Sequence, residues 1–177
     1  ISLYAATKRT NELMGYCYSH LYGIPATGLR FFTVYGPWGR PDMAAYKFAK
    51  AIFEKQPISV FNNGDMKRDF TYIDDTVAGV VAALDHVPSD PDTVPPHMIY
   101  NLGNNHPEEL KRFIAIIEKA IERRADLHLE PMQPGDVPQT YADIDPIRDD
   151  LGFESTVSAA EGFPRFVDWF KRYHALD

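Results

Sequence analysis

A chain of 177 residues, 45% apolar and 13% aromatic, fits one ordinary domain with a sizeable core. With 18 basic against 25 acidic residues its formal charge is −7. That argues against broad binding to nucleic acid or an anionic membrane, since either needs a dominant positive surface. The apolar run at 77–84 is far short of the ~20 residues that cross a bilayer, and the N-terminus lacks a basic-then-apolar signal pattern. A cytoplasmic protein without a membrane anchor is the expectation.

Residues 2–22 read as a helix, with Leu13, Tyr16, Cys17, His20 and Leu21 on one apolar stripe and Gly23-Ile24-Pro25 ending it. Cys17, the single cysteine, is expected to pack on that apolar side, and Ser2 suits a helix cap. Residues 26–35 suggest a buried strand, and the turn-rich 36–42 a loop. A helix over 43–54, a strand at 58–61, a turn at 62–65 and a strand at 68–73 follow. Asp74-Asp75 is expected to cap the next helix, 76–86. A proline-rich loop at 88–96 leads to a strand at 98–102, an amphipathic helix over 108–124, a strand at 127–130, a loop through Pro134-Gly135-Asp136 and a last helix, Ala159–His174. Helices alternating with short apolar strands predict an α/β fold.

The sharpest chemical signal is Tyr4-Ala5-Ala6-Thr7-Lys8. A spacing of four on a helix puts phenol and ammonium on one face. A cation about 4 Å away, at an effective dielectric near 20, contributes about 4 kcal/mol, enough to turn a phenol of pKa about 10 into a usable base. The six histidines are scattered, and neither His-Glu-x-x-His nor a cysteine pair occurs, so no metal is expected. There is no glycine-rich phosphate loop either. The chain starts within a functional-looking helix, and an upstream segment is expected.

Tyr4-x-x-x-Lys8, Arg30-Phe31-Phe32-Thr33-Val34-Tyr35-Gly36-Pro37, Arg68-Asp69-Phe70-Thr71-Tyr72-Ile73-Asp74-Asp75 and Tyr100-Asn101-Leu102-Gly103 occur in this order. The chain thereby resembles the C-terminal half of the extended short-chain dehydrogenase/reductase family, the NAD-dependent epimerases and dehydratases of nucleotide sugars. The run from Phe31 to Ala44, with Trp38-Gly39-Arg40-Pro41-Asp42-Met43 at its centre, is most similar to the UDP-glucuronate 4-epimerases. The resemblance implies the last part of a Rossmann-type parallel sheet domain (residues 1–35 and 69–102) plus a smaller α/β substrate-binding domain (36–68 and 103–177). It implies NAD as cofactor, held by Tyr4, Lys8, Phe31 and Val34, with Tyr4 as the base for the sugar 4-hydroxyl and Lys8 holding the nicotinamide ribose and keeping Tyr4 acidic. The implied substrate is a UDP-sugar. Thr33 and Arg40 would meet the uronate, Lys47 and Arg68 the diphosphate, Phe61 the uracil and Asp136 the ribose hydroxyls. A homodimer through the Tyr4/Lys8 helix is also implied.

The residues by themselves leave plainer roles open. Arg40 can bond loop carbonyls, Arg68 can pair with Asp69 or Asp65, Lys47 can be a solvated helix residue, Phe61 core and Asp136 a turn residue. A 4,6-dehydratase, a UDP-glucuronate decarboxylase or a UDP-hexose 4-epimerase stays compatible, as does a non-catalytic truncated UDP-binding domain.

Overall fold

The computed structural model describes residues 2–88 and 95–176. Helix α1 (Leu3–Tyr22) starts where the Ser2 hydroxyl accepts from the Ala5 amide and ends on Gly23 in the left-handed region. It leads into strand β1 (Ala26–Phe31), which pairs in parallel with β5 (His97–Leu102), Ala26 opposite His97 and Phe31 opposite Leu102. The expected single strand at 26–35 is divided at Phe32. Its amide still donates to the Leu102 carbonyl, after which β2 (Thr33–Tyr35) leaves for a parallel pairing with β4 (Lys67–Tyr72), Thr33 opposite Phe70. The apolar residues run straight through this change of partner, although β1 is half-buried to exposed and only Tyr35 of β2 is fully buried.

Helix α2 (Ala44–Glu54), strand β3 (Pro57–Val60) and a short 3₁₀ turn (Phe61–Gly64) separate β2 from β4. In that turn Asn62 and Asn63 adopt left-handed backbone angles, which asparagine tolerates. After β4 come α3 (Ile73–Asp85), β5, β6 (Pro107–Glu109), α4 (Leu110–Ile121) and β7 (Asp126–Leu129). Two further helices, α5 (Asp145–Leu151) and α6 (Ala159–His174), complete the chain. β6 runs antiparallel to β4, and β3 pairs in parallel with β7. The architecture is α/β, as expected. Residues 108–109, expected as helix, are instead the end of β6, pairing with Lys67 and Arg68. Most of the expected loop at 88–96 lies outside the described residues.

The larger core sits between α2, α4 and α6 and strands β2, β3 and β4. Phe70, Phe113 and Phe163 stack at its centre, with ring centroids 4.4 Å apart for Phe70 and Phe113 and 4.6 Å for Phe113 and Phe163. Such pairs add about 0.5–1.5 kcal/mol each to the burial of their area. Burial pushes the Tyr35 phenol, stacked on Phe163, up from its ordinary pKa. A smaller core joins Tyr100 and Leu102 of β5 to Ala142, Ile144 and Ile147.

Three carboxylates hold the elements in place. Asp69 is fully buried and accepts from the backbone amides of Asn104, Asn105 and Ala142. Gly103 permits this approach, since a Cβ there would lie 2.3 Å from that of Ala142. Asp75 was expected to cap its own helix. It accepts instead from the Ser155 and Thr156 hydroxyls and the amides of Thr156 and Val157, while α3 starts on Tyr72 with no side-chain cap. Glu12 of α1 receives Arg30 of β1 in a two-bond fork, Nε to Oε1 at 2.6 Å and NH2 to Oε2 at 2.8 Å, and also pairs with Arg9.

The stripe of α1 does not face inward. Leu13, Tyr16 and Leu21 are exposed, and Cys17, expected as packing, is exposed with them; the buried residue of this helix is Ser19. The face that meets β1 is the one bearing Glu12 and Gly15. An apolar stripe therefore does not identify the packed side of this helix.

Asp69→Asn replaces one of the two accepting oxygens by an NH2 that faces at least one donor amide, and about 1–3 kcal/mol of stability is expected to be lost, read as a lower midpoint in urea with an unchanged slope. The Arg30 fork and the neighbouring Arg9 hold the Glu12 carboxyl at about 2, below its ordinary 4.5. A carboxyl lowered by folding stabilises above its unfolded pKa and loses that contribution as pH falls through the folded value. The Glu12 contribution is therefore present above pH 4.5 and disappears toward pH 2, a window set by those two values. Glu12→Gln is expected to flatten the acid limb of the stability curve within it, measured by circular dichroism melts.

Candidate active site

Tyr4 and Lys8 lie one turn apart on the first half of α1, and the Lys8 ammonium stands 5.4 Å from the centroid of the Tyr4 ring. The two do not diverge. Both border a crevice of about 480 Å³ between α1 and β1, whose walls include Glu12, Gly15, Phe31 and His97. The Tyr4 ring is 71% exposed and that of Phe31 54%. The crevice runs along the whole of β1, from Ala26 to Phe31, with Phe31 at the carboxyl end of that strand, the end at which open α/β sheets receive their ligands.

A second, larger cleft of about 630 Å³ opens between α2, β3 and β4. Thr33, Lys47, Phe61, Arg68 and Asp136 all border it, and so does Gln133. Thr33 is the first residue of β2, two positions after Phe31, so the chain passes from the crevice to the cleft where β1 gives way to β2. Lys47 is exposed on the first turn of α2, its amide bonded to the Met43 carbonyl. Phe61 is half-buried at the head of the 3₁₀ turn.

Arg68 pairs with neither Asp69 nor Asp65. Its NH2 donates to Asp136 Oδ1 at 2.8 Å, and its NH1 to the carbonyls of Lys67 and Pro138. The guanidinium is thus fixed in direction, with its side chain only 17% exposed. Asp136 also accepts from the Val137 amide, so the loop through Pro134-Gly135-Asp136 is tied to β4 by a charged pair.

Two of the candidate residues border neither opening. Val34 is the middle residue of β2, opposite Thr71. Arg40 lies on the loop 36–43, and its Nε and NH2 make a two-bond fork with Asp42. That fork raises the pKa of the Arg40 guanidinium and lowers that of the Asp42 carboxyl. The loop is closely built. Gly36 has a φ of 138°, and a Cβ there would lie 2.5 Å from Ile73 Cγ2; Gly39 donates to the Gly36 carbonyl, and Met43 to that of Arg40. Trp38, at a φ of 63°, rests its indole against Trp169 and Tyr173 of α6, 5.6 and 5.4 Å between centroids. A bulky residue in this region stores strain that its surroundings must outweigh.

Sequence reasoning missed two participants. Glu12 continues the Tyr4–Lys8 spacing of four, and that arithmetic could have placed it on the same stripe. Asp42 borders the larger cleft and holds Arg40; nothing in its turn-rich surroundings separates it from an ordinary loop aspartate.

Among the described residues no helix is long and apolar enough to cross a membrane. The profile of the NAD dependent epimerase/dehydratase family matches residues 1–103. Protein CapI of Staphylococcus aureus is 48% identical over 185 residues, covering 98% of this chain and 55% of that protein. A probable UDP-glucuronate 4-epimerase of Rhizobium meliloti is 47% identical, over 96% of this chain and 53% of its own length. Among solved structures, the UDP-glucuronic acid 4-epimerase of Bacillus cereus in complex with UDP-glucuronic acid and NAD superposes with a TM-score of 0.86 at 34% identity, over 96% of this chain and 52% of that one. The chain spans about half the length of the curated relatives it matches. With more than half of its residues under the family profile and its fold shared with solved members, the chain belongs to the NAD dependent epimerase/dehydratase family.

Proposed function

We propose that the polypeptide carrying this chain interconverts UDP-glucuronate and UDP-galacturonate by inverting C4. The observation that carries this reading is the convergence of Thr33, Lys47, Phe61, Arg68 and Asp136 on one cleft, beside a crevice bearing Tyr4 and Lys8. The likeness to relatives named as UDP-glucuronate 4-epimerases supports the choice of substrate.

In this reading Tyr4 takes the proton of the 4-hydroxyl and returns it on the opposite course, a general-base role worth about 10²–10⁴-fold. Lys8, whose ammonium stands over the Tyr4 ring, donates to a ribose hydroxyl. Arg68, aimed by Asp136, and Lys47 meet the diphosphate. An acidic protein must collect its cations locally to do this. Phe61 offers a face to the uracil, Asp136 accepts from the ribose, and Arg40 with Thr33 receives the uronate carboxylate, which a planar guanidinium suits.

The crevice fits the nicotinamide end of NAD, since it presents a cation at Lys8 and an exposed ring at Phe31 beside the carboxyl end of β1. Val34, three residues further on and in β2, would support that end from behind. NAD, when bound, supplies the hydride acceptor and donor at C4. The glycine-rich loop for its phosphates would come from a further half, with 1–35 and 69–102 as the C-terminal part of the cofactor domain and 36–68 and 103–177 as the substrate domain. The exposed Leu13, Tyr16 and Cys17 suit α1 to a homodimer, and a cytoplasmic setting suits a nucleotide-sugar enzyme with an exposed free thiol.

Incubation of the whole polypeptide with UDP-glucuronate and NAD, followed by NMR of the anomeric protons, is expected to give UDP-galacturonate. A product that has lost carbon dioxide or water sinks the proposal. Tyr4→Phe is expected to lower kcat by about 10²–10⁴-fold. This chain alone is expected to bind UDP-glucuronate without turnover, and Arg68→Ala to weaken that binding by about tenfold or more, as for loss of a charged hydrogen bond, read by calorimetric titration.

A further inference from the structure

Arg40 is proposed above to receive a carboxylate, and it already holds one. Its Nε meets Asp42 Oδ1 at 3.0 Å and its NH2 meets Oδ2, the same parallel pair of bonds that a uronate would require. Asp42 is the member of this pair that borders the cleft, whereas Arg40 does not. Both side chains are well exposed, at 75% for Arg40 and 58% for Asp42. The backbone between them is pinned by the Met43 amide on the Arg40 carbonyl and the Lys47 amide on the Met43 carbonyl. Exchange of partners therefore needs only side-chain rotation. Lys47 also acts on the Asp42 carboxylate, so a second cation is at hand when the first is taken.

We propose that Asp42 is a specificity-determining residue that holds the guanidinium fork of Arg40 and yields it to another planar carboxylate, that of a uronate. This rests on the reading of Arg40 given above. Substituting one carboxylate for another keeps both charge-assisted bonds, so the exchange is nearly balanced and release stays easy. A neutral hydroxymethyl group offers one weak acceptor in place of two charged ones, and leaves the Arg40–Asp42 pair intact. The resident carboxylate also denies the fork to stray monodentate anions.

The test is calorimetric titration of UDP-glucuronate and of UDP-glucose into the protein, comparing wild type, Asp42→Asn, Asp42→Ala, Arg40→Ala and the double variant Arg40→Ala/Asp42→Asn, each with a melting curve to establish folding. Removing the competitor is expected to raise the preference for UDP-glucuronate by about two- to fivefold, the range of an exposed ion pair. Tightening is the diagnostic direction, because a merely structural role for Asp42 would loosen the site. Arg40→Ala is expected to bring the preference toward parity and to cancel the effect of Asp42→Asn in the double variant. If the Asp42 variants leave the preference unchanged or lower it while Arg40→Ala abolishes it, the Asp42 proposal fails and the Arg40 reading stands. If Arg40→Ala leaves the preference intact, both are overturned.

Discussion

The buried carboxylate of Asp69 is the constraint on which the rest of the structure depends. Strand alternation sends it inward, where it collects the amides of Asn104, Asn105 and Ala142 and so fastens the end of β5 and the 140–142 segment to β4. The Thr140 hydroxyl, bonded to the Asp69 amide, tightens the same junction. The preceding residue, Arg68, points the other way, to the cleft. One strand position thus separates the group that closes the fold from a cation proposed to meet substrate. An error in the first would be felt directly at the second.

Electrostatics in this acidic protein follow a common scheme. Three arginines each hold a carboxylate at or beside the two openings: Arg68 holds Asp136, Arg30 holds Glu12, and Arg40, which borders neither opening, holds Asp42, which borders the cleft. The pairings differ in exposure, and with it in what they do. Arg30–Glu12, sheltered at the glutamate, fixes a helix to a strand, while Arg68–Asp136 aims a side chain across a cleft. Arg40–Asp42 stands in solvent, where partners change at little cost. Burial therefore sorts the same chemical pair into anchor, pointer and exchangeable contact.

Most of the fold was legible because local signals and tertiary packing agree. The last helix has the expected bounds, Ala159–His174, since a Ser158–Glu161 capping box opens it and a strong apolar stripe runs its length. Helix α5 went unread, although Pro146 near its start and Gly152 after its end are usable signals; seven residues give periodicity too little length to register. The change of partner at Phe32 was invisible because the extended, apolar-rich sequence continues across it whichever neighbour each half pairs with. Asp75 shows the limit for caps: an aspartate opening a helix suggests a local bond, but a chain segment eighty residues away can claim its oxygens. For the proposed site, eight of the ten candidate residues border one of the two openings while Val34 and Arg40 border neither, and the pairing of Arg68 with Asp136, sixty-eight residues away, is a matter of three-dimensional proximity that no motif encodes.

The loop that carries Arg40 is moored by Trp38 against Trp169, and the chain has just these 2 tryptophans. Its entire indole emission therefore originates from a single couple bridging the loop and α6. Any event that lifts the loop separates the two chromophores and alters colour and yield together. This chain carries its own optical gauge of that movement, with no label to attach.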